Sequence, residues 1–111
     1  MPGTIQAEVD VRRLDGLLPA LLRNLPSPRL FLKMDTQGYD LEVFRGAKNC
    51  LNWIVGLQSE ISVIPLYTGM PHYLESLREY EEHGFHLHHL AVVNRTINQD
   101  LLELNCYMRR P

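Results

Sequence analysis

Residues 30–47, LFLKMDTQGYDLEVFRGA, decide the fold of this chain. The first five, residues 30–34, form a nearly continuous apolar run, which predicts a strand buried on both faces of a parallel sheet. Residues 35–38 then break the run with polar side chains and a glycine. From Asp40 onwards, apolar residues recur at steps of three and four, which predicts a helix with one buried face. That face consists of Leu41, Phe44, Ala47 and Leu51.

The same strand-turn-helix alternation extends in both directions from this stretch. Residues 5–12 alternate between apolar and polar and predict a half-buried strand, whereas residues 14–24 carry leucines at helical spacing. Residues 53–64 predict a second buried strand. A helix is expected to begin near Pro71 and to stop at Gly84, with an apolar face that consists of Tyr73, Leu74, Leu77 and Tyr80.

Two strands close the chain, at residues 85–93 and 101–108, joined by a loop short enough for a hairpin. The order of elements therefore predicts an α/β fold with right-handed crossovers and a mostly parallel sheet that ends in an antiparallel hairpin strand. At 111 residues the chain is expected to form a single domain, residues 1–111.

Composition narrows the possible partners of this domain. Net charge is −2 and no dense basic patch occurs, which argues against nucleic acid as a partner. No apolar run approaches the roughly 20 residues of a membrane span. Cys50 and Cys106 are expected to be reduced core thiols, and with no signal-like N-terminus the protein is predicted to be cytoplasmic.

Three charged side chains are candidates for chemistry. Asp35 follows the strand at residues 30–34, at the carboxyl edge where open α/β sheets bind ligands. Lys33 is two positions earlier and is expected to share a face with Asp35. Glu60 lies within an apolar strand, where an unpaired carboxylate is costly. Structural explanations also exist: Lys33 paired with Asp35 or Glu60, or Glu60 paired with Lys33 or Arg29.

Residues 32–47, LKMDTQGYDLEVFRGA, resemble the signature of the FkbM methyltransferase family, roughly L-K-[IM]-D-x-[EQ]-G-x-[ED]-x-x-[VL]-[LF]-x-G-A. Two further segments are similar to parts of the same family pattern: residues 9–15, VDVRRLD, and the pair Gly84 and Phe85. The resemblance implies a Rossmann-like class I fold and O-methyl transfer from S-adenosylmethionine to a hydroxyl of a sugar or small metabolite. Asp40 stands where the pattern usually has glutamate, and is interpreted as a helix cap.

The resemblance also assigns roles. Asp35, Lys33 and Glu60 are the predicted catalytic residues, with the Asp35 carboxylate accepting the proton of the attacking hydroxyl. Gln37 and Gly38 are expected to face substrate. No two of the seven glycines are separated by a single residue, so the chain has no G-x-G turn to hold the cofactor. Residues that bind the cofactor therefore remain unknown, and the chain is predicted to be the C-terminal half of a methyltransferase, inactive alone.

An alternative is a truncated, non-catalytic remnant that serves as a binding or oligomerisation module. Without the cofactor-binding strand, the strand at residues 30–34 is expected to leave an open edge, to be covered by the N-terminal strand or by a second chain in a homodimer. Four histidines lie close together in sequence: His83, His86, His88 and His89. His86 and His88 share a face of the predicted strand and could bind a metal in principle, but no carboxylate or cysteine lies at supporting spacing, so a solvated strand face and no metal site are predicted.

Overall fold

The structure is a computed structural model, and it describes residues 29–36, 38–66 and 68–111. The predicted strand at residues 5–12, the predicted helix at residues 14–24 and Gln37 lie outside the described residues.

Four strands form one mixed sheet in the described residues: β1 (Leu30–Lys33), β2 (Ile54–Ser62), β3 (His86–Arg95) and β4 (Leu101–Arg109). Their order across the sheet is β1-β2-β4-β3. β1 pairs parallel to β2, whereas β4 pairs antiparallel to both β2 and β3. Consequently β1, β2 and β3 run in one direction and β4 runs against them. The predicted α/β class and the C-terminal hairpin are confirmed, although only one of these three pairings is parallel.

In the part of the chain that the structure describes, two α-helices and a 3₁₀ helix connect the strands. α1 (Asp40–Arg45) and the 3₁₀ helix (Lys48–Trp53) lie between β1 and β2, and α2 (Tyr73–Glu82) lies between β2 and β3. The first predicted helix is therefore shorter than its apolar repeat, because the chain tightens into a 3₁₀ turn after Arg45. Its predicted face is nevertheless confirmed, since all four side chains are buried: Leu41, Phe44, Ala47 and Leu51.

The core lies between these helices and one face of the sheet. Phe44 of α1 is fully buried, and its ring makes edge contacts with Tyr80, at 4.8 Å between ring centroids, and with Phe85, at 6.0 Å. Strands β2 and β4 contribute the facing side chains. Both cysteines are buried thiols that form no disulfide, as predicted. The sheet residues of this face are Leu57, Ser59 and Ile61 on β2 and Leu104, Cys106 and Met108 on β4.

Two burial predictions are wrong. β1 is not buried on both faces: its burial alternates, and Phe31 is 57% exposed because its side chain lies on the sheet face opposite the core. Leu74 was expected in the core but is 56% exposed. It lies at the first turn of α2, where Tyr73 packs partly against the core instead. The apolar spacing correctly predicted α2, but the predicted buried face was too wide because it included Leu74.

Gly84 ends α2 in the way that the sequence predicts. Its φ is +91°, a left-handed conformation that favours glycine. The amide of Gly84 donates to the Glu81 carbonyl, at 3.0 Å, and the amide of Phe85 donates to the Tyr80 carbonyl, at 3.2 Å. These two bonds form a Schellman motif, with Phe85 and Tyr80 as its apolar pair.

We expect Gly84→Ala to destabilise the fold by about 1 kcal/mol, because alanine strains this backbone conformation. A side chain would meet no steric obstacle, since the nearest atom to a Cβ there is 4.0 Å away. Gly84→Asn should lower the free energy of unfolding less than Gly84→Ala does, because asparagine tolerates a positive φ better than alanine. Urea denaturation measures both, and equal losses for the two variants would contradict backbone strain as the cause.

Candidate active site

The candidate site lies at the carboxyl edge of the two parallel strands β1 and β2. A narrow cleft at this edge has about 10 Å³ of space, enough for one water or hydroxyl group. Its polar lining comes from three segments: the turn after β1, the end of β2 and the start of α2. The lining residues are Gly38, Asp40, Leu41, Glu60, Ile61, Ser62, Met70, Pro71 and Ser76.

Asp40 ties these segments together. Its carboxylate accepts hydrogen bonds from the Glu60 amide, at 2.9 Å, and from the Ser59 hydroxyl, at 3.0 Å. It also accepts from the amide of Thr36, at 3.0 Å, and from the Thr36 hydroxyl. Asp40 is only 3% exposed, so these donors replace water as its partners. The turn after β1 is thereby fixed to the edge of β2.

The interpretation of Asp40 as a helix cap is wrong. The N-cap position of α1 is Tyr39, which makes no side-chain capping bond, and Asp40 is the first residue of the helix. Its carboxylate is directed to Ser59 and Glu60 of β2 rather than to the amides of its own helix. A carboxylate in the first turn is still favoured by the helix dipole.

The network continues into the core through Ser59. Its hydroxyl lies 2.8 Å from the Tyr80 hydroxyl, and both residues are fully buried. Burial raises the pKa of Tyr80 well above its ordinary value, although the Ser59 hydrogen bond opposes the shift. The neighbouring Cys106, opposite Ser59 in the sheet, has a raised pKa as well, again mainly because of burial. Both groups are therefore neutral at physiological pH.

Glu60 is a carboxyl group whose pKa is raised into the physiological range. A side-chain hydrogen bond with Glu103 is the largest cause that raises its pKa to about 7. Burial, the charge of Glu103 and then the charges of Asp35 and Asp40 are the remaining causes of this shift. The shift has a simple origin: carboxyl groups that lie close together favour a shared proton over two negative charges.

The other predicted site residues are placed as follows. Asp35 is exposed, just beyond the carboxyl end of β1, near enough to Glu60 for its charge to raise the Glu60 pKa. Gly38 lines the cleft and has a φ of +98°. Lys33 is exposed on β1, opposite Gln58 of β2, and is absent from the cleft lining. The predicted structural pairings of Glu60 with Lys33 or Arg29 are replaced by its contact with Glu103.

Sequence reasoning missed Asp40 as the centre of the site and Glu103 as the partner of Glu60. The sequence contained a signal for Asp40, because this carboxylate follows a strand and a glycine turn within residues 30–47. No local sequence signal identifies Glu103 as the partner of Glu60, because its position depends on β4 lying directly beside β2.

A bidentate ion pair holds the helices above this edge. Arg45 of α1 donates through Nε and Nη2 to the carboxylate of Glu79 on α2, at 2.9 and 2.8 Å, and also pairs with Glu42 at 2.8 Å. These acidic partners raise the pKa of Arg45. Glu79, within the polar run at the end of α2, thereby links the two helices.

We expect Glu60 to make stability depend on pH. Its pKa is raised in the folded state from 4.5 to about 7, so between these values the folded state binds more protons than the unfolded state. Stability from this group is therefore present below pH 4.5 and is lost as pH rises to about 7. Urea denaturation from pH 5 to 8 should show a smaller loss in Glu60→Gln and in Glu103→Gln than in the wild type.

The matched control is Glu82→Gln, which changes an exposed carboxylate at the end of α2. It should keep the pH dependence of the wild type, because Glu82 is not among the groups that act on Glu60. A wild type whose stability rises from pH 5 to 7 in parallel with Glu60→Gln would contradict the assignment.

An α/β sheet with carboxylates at the carboxyl edge of its parallel strands defines a class of proteins that bind ligands at that edge. The family model of the Methyltransferase FkbM domain matches residues 2–100, and the chain belongs to that family. No curated protein and no solved structure matches the chain.

The described residues contain neither a candidate metal-binding cluster nor a helix that could span a membrane. Within residues 29–36, 38–66 and 68–111, no three histidine, cysteine, aspartate or glutamate side chains converge in a way that could hold a metal ion. In the same part of the chain, no helix is both long enough and apolar enough to cross a membrane.

Proposed function

We propose that this chain provides the acceptor side of an S-adenosylmethionine-dependent O-methyltransferase, in which Glu60 accepts the proton of a hydroxyl on a sugar or small metabolite. Membership of the FkbM family supports methyl transfer. The direction of the strands supports a Rossmann-like class I sheet, because β1, β2 and β3 run together and the last strand is reversed.

The observation that carries the proposal is the environment of Glu60. Its pKa of about 7 matches the requirement for a general base, which must be ionised at working pH and still bind a proton well. The cleft beside it admits one hydroxyl-sized group, so a larger acceptor would insert a single hydroxyl and leave its remainder outside. Asp40 holds the Glu60 backbone in place, and Asp35 adds negative charge.

The cleft beside Glu60 does not fit the methyl donor itself. The cleft has about 10 Å³ of space, whereas small-molecule sites usually enclose several hundred. The sequence also has no G-x-G turn to approach the cofactor. We therefore assign only the hydroxyl-binding and proton-accepting steps to these residues, and we expect the chain alone to be inactive.

Ligand-observed NMR with a panel of monosaccharides and small alcohols tests the acceptor site. At pH 8 we expect at least one hydroxyl compound to bind, and Glu60→Gln to weaken its binding about 10-fold through loss of a charge-assisted hydrogen bond. Glu82→Gln should bind like the wild type. Failure of every compound to bind, or binding that Glu60→Gln leaves unchanged, would favour the non-catalytic module instead.

We also propose that two chains pair along β1. In the described part of the chain, β1 is at the end of the sheet order, and an open strand edge invites pairing with another strand. Sedimentation velocity should then show a dimer, and Phe31→Pro should shift it to monomer by blocking a backbone donor at this edge. A wild type that sediments as a monomer at all concentrations would reject the dimer.

A further inference from the structure

A second concavity lies at the other end of the sheet, on the face that the described helices leave uncovered. Its volume is about 390 Å³, within the size range of small-molecule sites. Six residues from β1, β3 and β4 line it: Phe31, His88, His89, Tyr107, Met108 and Arg109. We call this concavity the aromatic groove.

The aromatic groove is separate from the candidate active site. Phe31 of β1 is paired with Gly56 of β2, and Gly56 precedes Glu60 by four residues on the same strand. At about 3.3 Å per residue, the two sites are roughly 13 Å apart along the strands. They share no lining residue.

Gly56 shapes the wall of the groove. A Cβ at this position would lie 2.9 Å from Cδ2 of Phe31 and 3.2 Å from the Met108 carbonyl oxygen. The Phe31 ring therefore lies directly over bare backbone, closer than a side chain at residue 56 would permit. With 57% of its surface exposed, the ring presents an open aromatic face.

The opposite side of the groove is also aromatic. The His89 and Tyr107 rings lie 5.6 Å apart and are tilted by 38°. An irregularity between Leu87 and His89 shifts the register of β3 against β4. At this irregularity, side chains no longer alternate strictly between the two faces of the sheet. Two successive histidines, His88 and His89, can therefore line the same groove.

The polar groups of the groove select for negative charge. Arg109 is exposed and is a permanent cation whose planar fork suits carboxylate or phosphate oxygens. The two imidazoles offer N–H donors, and none of the six lining residues is acidic. Flat rings and a cation that line the same groove complement a ligand that has both a flat ring and an anionic group.

We propose that the aromatic groove binds a small, flat aromatic molecule that carries an anionic group. The aromatic part lies against Phe31 and Tyr107, and the anionic group pairs with Arg109. Neither the acceptor chemistry nor the cofactor of the methyltransferase family is needed for this binding.

Titration of the ¹⁵N-labelled chain with 2-naphthoate tests the proposal. We expect amide shifts at Phe31, His89 and Arg109. Two matched probes separate the contributions: 2-naphthalenemethanol has the ring without the charge, and cyclohexanecarboxylate has the charge without the aromatic ring. Each should bind at least about 10-fold more weakly than 2-naphthoate. Equal affinity for naphthoate and its neutral analogue would overturn the assignment of Arg109, and equal affinity for the two carboxylates would overturn the aromatic contact.

Variants give an independent check. Arg109→Gln should weaken 2-naphthoate binding about 10-fold and leave the neutral probe unchanged, whereas Arg95→Gln, at the far end of β3, should have no effect. Glu60→Gln should also bind 2-naphthoate normally, so a failure of the acceptor proposal is distinguishable from a failure here. Shifts confined to residues outside the groove, or full binding by Arg109→Gln, would reject the site.

Discussion

Asp40→Ala is expected to destabilise the protein by about 3 kcal/mol, because it removes the acceptor of several partly or fully buried donors. The Glu60 amide and the Ser59 hydroxyl both depend on this carboxylate, and Asp40 itself is 3% exposed. For a domain of this size the melting temperature should fall by more than about 10 °C. Thermal denaturation followed by circular dichroism measures the change.

The control for this variant is Glu42→Ala on the same helix. Glu42 is exposed, and its ion pair with Arg45 is a surface contact that contributes at most about 1 kcal/mol. If Asp40→Ala and Glu42→Ala lowered the melting temperature equally, the hydrogen bonds of Asp40 would not be what fixes the turn after β1 to β2.

Phe44→Ala is expected to cost about 3–5 kcal/mol, the usual range for deletion of a fully buried aromatic ring. Phe44 is 0% exposed and contacts the rings of Tyr80, His83 and Phe85. Deletion of the ring removes all three of these edge contacts and leaves a cavity among the partner rings. Urea denaturation should show the loss as a lower midpoint with an unchanged slope.

Leu74→Ala is the matched comparison, because both residues belong to apolar repeats with helical spacing. Leu74 is 56% exposed, so its loss should change stability by less than about 0.5 kcal/mol. A large loss in Leu74→Ala would mean that α2 turns a different face to the core, and would contradict the packing described above.

Local signals in the sequence predicted much of the fold. The buried face of α1 and the 3₁₀ helix followed from apolar spacing, and the stop of α2 followed from Gly84 because few other residues accept its φ. The position of Asp35 after β1 also followed from sequence, since the break from apolar to polar residues marks the end of a buried strand.

Features that depend on the arrangement of distant segments were not predictable in this way. An apolar run indicates that a strand is hydrophobic. It does not indicate whether another segment covers each face of that strand, so the exposure of Phe31 could not be predicted from the run. The contact of Glu60 with Glu103 exists because β4 lies between β2 and β3, which hairpin signals alone do not determine. The exposure of His88 and His89 agrees with the predicted solvated face, but the irregularity that places both beside one groove depends on pairing between strands.

Titration of the Glu60 carboxyl group itself tests its role as the proton acceptor. Carbon-detected NMR of the side-chain carboxyl, assigned by comparison with Glu60→Gln, should give a midpoint near 7. In Glu103→Gln the midpoint should fall, because the largest cause of the shift is removed. A wild-type midpoint near 4.5, unchanged by Glu103→Gln, would contradict the assignment of Glu60 as the proton acceptor.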